Sequence, residues 1–159
     1  MTRSPAASAI FIGGSIGGAL DITYAITFSA TQGLPPIGLL QTVASGLLGQ
    51  AAYDGGILTA VLGFALHFAL SYLIASVFYF ASGHINFLTR HAIISGILFG
   101  IIVFLVMKLI VLPLSAFPHP ITFKPLSTIT NLMSHMFLFG IPIALATRKF
   151  SNSTHGKAG

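Results

Sequence analysis

Residues Gly55 to Phe80 read GGILTAVLGFALHFALSYLIASVFYF, an apolar run in which His67 is the only side chain that can carry a charge near neutral pH. At about 1.5 Å of rise per residue, a helix of this length exceeds the roughly 30 Å of hydrocarbon in a bilayer. In lipid, backbone amides must bond within their own segment, so the run reads as a spanning helix. Ala60, Gly63, Ser71 and Ala75 recur on the face of His67 at helical spacing. Small residues let neighbouring helices approach closely, and that face is expected to point into the protein.

Composition agrees with this single stretch. Of 159 residues, 55% are hydrophobic and 6% charged, with a mean hydropathy of +0.95. A soluble domain carries about a quarter charged residues, so the expected class is an all-α polytopic integral membrane protein. The formal charge of +5 comes from Lys and Arg scattered singly at the ends of apolar runs. They read as topology signals, not as a phosphate-binding patch, and no nucleic-acid partner is expected. Without cysteine there are no disulfides and no thiolate chemistry. No Ser-His-Asp order, paired carboxylates, phosphate loop or HExxH is present, so the chain does not read as an enzyme.

Three further spans flank the central one, giving a single transmembrane domain over residues 1–150. The first, about 9–29, is too long for the core of a signal peptide and carries Asp21. Gly13, Gly14, Gly17 and Gly18 form two overlapping GxxxG spacings, with Gly14, Gly18, Asp21 and Ala25 assigned to one packing face. Pro35 and Pro36 break the chain before residues 38–52, an interfacial or re-entrant helix too short to cross, with Gln41, Ser45 and Gln50 on its polar side. Asp54 is expected to cap the second span, 56–80. The third span, 92–114, carries Gly96, Gly100 and Lys108, and the fourth, 126–147, carries Asn131, Ser134, His135 and Pro142. Pro142 frees the carbonyl of Leu138, so a kink is expected there. The Phe-rich faces of the second and third spans are expected to meet lipid, and residues 151–159 to form a disordered cytoplasmic tail.

With four spans both termini share a side, which collects Arg3, Arg90, Arg148, Lys149 and Lys157 against Lys124 alone on the other. By the positive-inside rule the termini are expected in the cytoplasm, with the chain in a bacterial inner membrane. Asp21, His67, Lys108 and His135, one from each span, then fall at similar depths below the outer face. Charge in hydrocarbon must be paired, hydrated or neutralised, so these four are the candidate site, with Ser71 and Asn131 as supporting partners. An Asp21–Lys108 ion pair with both imidazoles bonded nearby is the simplest arrangement. Such a layer could only fix helix register. It could line a hydrated path for a proton, ion or small solute. His67 and His135 could also be axial ligands of a b-type haem, although no cofactor or metal is expected. The glycine-rich faces on so short a chain suit, as an alternative, an accessory subunit packed against a larger membrane complex or a second copy of itself.

The last hundred residues resemble the YagU-type inner-membrane proteins of bacteria. The likeness rests on His67, Ser71 and Ala75 in one helix, Lys108 followed five residues later by Pro113-Leu114, and His135 opening the last helix. It implies a four-helix inner-membrane protein and no settled activity; where that family has histidine, this sequence has Lys108.

Overall fold

A computed structural model describes residues 4–155. Every regular element among the described residues is helical: α1 (Pro5–Thr31), α2 (Pro36–Leu48) with a 3₁₀ turn (Gly49–Tyr53), α3 (Gly56–Ser82), the short α4 (Asn86–Arg90), α5 (Ala92–Leu114) and α6 (residues 125–155). Within these, α1, α3, α5 and residues 125–151 are each long and apolar enough to cross a membrane. The protein is thus an all-α polytopic membrane protein. Its outer surface bears this out: Phe11, Leu73, Ile102 and Leu126, one from each span or its end, are all more than half exposed. In water such a belt would drive aggregation, whereas in lipid it has its natural solvent.

Local chemistry sets the ends. Ser4 Oγ accepts the Ala7 amide at 3.1 Å and Pro5 takes the first helical position, so α1 starts four residues before the apolar run suggests. Gly33, with φ of 85°, turns the chain after α1. Asp54 does not cap α3. Gly55 holds the cap position with no side-chain bond, Gly56 takes φ of 57°, and Asp54 lies exposed at the end of the 3₁₀ turn. The helix of α6 continues to His155, into the stretch expected to be a disordered tail, whose residues 156–159 lie outside the described residues.

Two π-helical segments interrupt the spans, Met107–Val111 in α5 and Ser134–Gly140 in α6. Each ends two residues before a proline, Pro113 or Pro142. A proline ring removes one amide donor and presses on the preceding turn, and the widened turn accommodates both effects. The break expected at Pro142 therefore takes the form of a seven-residue π segment.

Glycine sets how the spans pack. A methyl group built on Gly13 would lie 3.2 Å from Ile143 Cα and Ala146 Cβ of α6, and one on Gly17 would lie 3.1 Å from the Phe139 carbonyl. Gly14 and Gly18 instead face Ser71 and Tyr72 of α3. α1 thus lies between two partners, each in its own groove one residue out of phase with the other. Gly96, Gly100 and Gly140 bring the α5 and α6 backbones into direct contact, and Gly63 receives the Leu40 main chain of α2. All seven glycines expected at packing faces sit at such approaches.

α2 is further fixed to α3 by Gln41, which is 8% exposed and donates from Nε2 to the Gly56 carbonyl at 3.1 Å. The Ala116 amide donates to the Gly46 carbonyl at 2.9 Å, holding the loop after α5 against α2. This end of the bundle, with α2 and that loop, is called the loop end, and the opposite one the termini end. Among the phenylalanines, Phe64 and Phe80 face outward as expected, but Phe78 and Phe104 are buried at 1% and 4% and belong to the core with Phe139 and Ile143.

Candidate functional site

Asp21 lies where α1 meets α6 and is 9% exposed. It is four residues beyond Gly17, so the groove that admits the α6 backbone also carries the carboxylate up to it. Two consecutive α6 side chains, from the start of the π segment, meet its Oδ1. The Ser134 hydroxyl donates to Oδ1 at 2.7 Å, and His135 Nδ1 stands 3.7 Å from the same oxygen. His135 Nδ1 is also 3.0 Å from the Asn131 carbonyl. A carbonyl can only accept, so Nδ1 carries the proton. The imidazole is boxed by the rings of Phe104 and Phe139, at centroid distances of 5.8 and 6.1 Å. The result is a carboxylate and an imidazole in the seam between two spans, one held by a hydroxyl and the other by a main-chain carbonyl.

His67 belongs to the other groove. Its Nε2 is 2.9 Å from the Gly18 carbonyl, one turn from Asp21 on α1, and by the same logic Nε2 is the donor. Only glycine at position 18 permits this approach, since a methyl there would fall 2.7 Å from Ser71 Oγ. Ser71 donates to the His67 carbonyl of its own helix at 2.9 Å, which satisfies its hydroxyl and leaves no bond across the seam.

The expected layer is therefore only partly assembled. Asp21 and His135 come together, and Asn131 supports the imidazole through its main chain and not its amide. The Asp21–Lys108 ion pair does not form: Lys108 Nζ lies 5.8 Å from the centre of the Phe123 ring, on the loop that follows α5. Among the described residues, the ion pair of the seam is His135 with Asp21. Lys108 sits six residues before Leu114, nearer its helix end than Asp21, His67 and His135 are to theirs, so its flexible stem reaches toward the surface. The two imidazoles lie along separate grooves of α1, His67 bonded to the Gly18 carbonyl and His135 to the Asn131 carbonyl of its own helix. No three His, Asp or Glu side chains among the described residues group to hold a metal ion.

Ser134 was not singled out from the sequence as a site residue. Its signal was its place next to His135 and three residues after Asn131, on a helix that must supply donors if an acid lies opposite.

Fold and site together define a helical membrane protein with four spanning helices and an acid–imidazole couple enclosed between the first and last. No family model matches the chain, and no curated protein or solved structure is significantly similar to it.

Proposed function

We propose that the chain is a small proton-linked transport protein of the bacterial inner membrane, with both termini cytoplasmic and the loop end facing outward. The observation that carries this is the Asp21–Ser134–His135 contact inside a seam between two spans. With His135 as the imidazolium, its second ring proton on Nε2, and Asp21 as the carboxylate, the couple is neutral overall. Losing that proton leaves a lone carboxylate, and adding one to Asp21 leaves a lone imidazolium. Either isolated charge at membrane depth costs roughly 2.5 to 3.5 kcal/mol on insertion scales, so each proton changes how strongly α1 and α6 attract one another. The π segment of α6 begins at that contact and supplies a region where the helix can change its turn.

The orientation is supported by the loop charges, five to one in favour of the termini end. YagU-type proteins remain the family whose spaced residues the chain resembles. The accessory-subunit alternative loses its motive, because the glycine faces are already occupied within the chain. A haem held by His67 and His135 gains no support from imidazoles bonded along different grooves.

The test is flux. Purified protein in vesicles enclosing a pH-sensitive dye, with an imposed potential, is expected to acidify or alkalinise the lumen, and Asp21→Asn to stop it without altering the melting temperature. Equal flux in wild type and Asp21→Asn would reject the proposal. An absorption spectrum of the same preparation decides the haem alternative, since a Soret band lost in His67→Ala would establish it.

A further inference from the structure

The chain holds two acids, Asp21 inside the α1–α6 seam and Asp54 at the loop end, so the termini end carries its cations without a side-chain carboxylate. Packing brings some of those cations together. Gly96 meets Gly140 and Ile141 across the α5–α6 contact, and one turn nearer the termini end Ala92 and Ala144 are both buried. Arg148 lies seven residues beyond Ile141, on the same face of α6, and so turns toward the start of α5. There α4, which ends at Arg90, packs on α6. His91 joins α4 to α5, and its ring stacks on Phe87 at 4.8 Å. Arg90, His91 and Arg148 are all exposed, at one level of the α5–α6 seam. Two guanidinium groups on adjoining helices with no acid between them repel each other and draw an anion from their surroundings. Beside them the surface turns apolar: Phe87, and Ile94 and Leu98 one turn apart on α5, are each about half exposed. A free phosphate would meet only the charged part of this surface. A molecule with a phosphate at one end and acyl chains at the other covers both parts.

From this arrangement we infer that Arg90 and Arg148 clamp the phosphate of one anionic phospholipid, of the phosphatidylglycerol class, whose acyl chains lie along Ile94 and Leu98. Arginine suits this task, because its planar fork offers two parallel N–H bonds to phosphate oxygens. A zwitterionic lipid carries its own ammonium beside the phosphate and competes poorly for the same pair. By joining α4 to the end of α6, the lipid fastens the termini end of the α5–α6 seam. The inference does not rest on proton transport.

Native mass spectrometry of the full chain in neutral detergent, titrated with phosphatidylglycerol or with phosphatidylcholine of the same acyl chains, tests it. One phosphatidylglycerol per chain is expected to be retained about tenfold more tightly than phosphatidylcholine. Arg90→Gln and Arg148→Gln are each expected to weaken that binding about fivefold, and Lys124→Gln at the loop end to leave it unchanged. Arg148→Lys, which keeps the charge and loses the fork, is expected to weaken it about twofold. Equal retention of the two lipids overturns the inference. So does equal weakening by Lys124→Gln and Arg148→Gln, the mark of attraction spread over the whole surface, or displacement of the lipid by millimolar inorganic phosphate, the mark of a site for a soluble anion. None of these readings involves flux, so the lipid site and the transport proposal stand or fall separately.

Discussion

The two grooves of α1 are built alike and end differently. Gly14 and Gly18 admit α3, Gly13 and Gly17 admit α6, and each partner brings one histidine to the seam. In the α3 groove His67 donates to the Gly18 carbonyl, an acceptor with no proton to exchange. In the α6 groove His135 faces Asp21, whose charge depends on a proton. Close packing by glycine is thus common to both seams, while a titratable partner for the histidine is found in one. A histidine at membrane depth is no evidence of function until its partner is known.

The largest effect should come from breaking the packing itself, and there the seams should not differ. Gly17→Leu and Gly18→Leu push side chains into Phe139 and Ser71, and each is expected to cost about 3 kcal/mol, read as a collapse of folded yield and melting temperature in detergent. If one were tolerated, the symmetry drawn here between the grooves would be wrong. Next comes Asp21→Asn, expected to stop proton flux, because the amide keeps the Ser134 acceptor but cannot ionise. The sharpest separation of the seams is the pair His135→Ala and His67→Ala. The first should cut flux severalfold, whereas the second should lower stability by about 1 kcal/mol, the worth of one bond to a main-chain carbonyl, and leave flux unchanged. Equal loss of flux in both would place His67 back in the proton path. Smallest is Pro142→Ala, which restores an amide donor to the Leu138 carbonyl; melting should shift by less than about 1 kcal/mol, with hydrogen exchange slowing around residue 142.

Much of the architecture could be read in advance. The α3 and α5 spans begin where apolar periodicity puts them, at Gly56 and Ala92, since a bilayer imposes length and apolarity on any crossing helix. Glycine spacing likewise named the close approaches, because only glycine lets two backbones touch. Partners were harder. Helical spacing put Asp21 on the Gly14–Gly18 face, but position 21 is at once i+4 from Gly17 and i+3 from Gly18 and so borders both grooves, and only packing shows that the carboxylate turns to α6. Lys108 was paired with Asp21 on depth alone, although a long side chain need not lie at the depth of its own Cα. The π segments were hidden for another reason. Proline marks where a helix loses a bond, yet whether the turn kinks or widens depends on neighbours such as Gly100, which sequence does not place beside it.

Between Gly100 and the His135 carbonyl there is no room for a side chain, and the same holds where Gly140 meets Gly96. Side chains can absorb a shift by changing rotamer, but two main chains in contact cannot. The most apolar span, which carries no acid or imidazole of its own, therefore fixes through its main chain where the His135 backbone can stand, and with it the distance from the imidazole to Asp21.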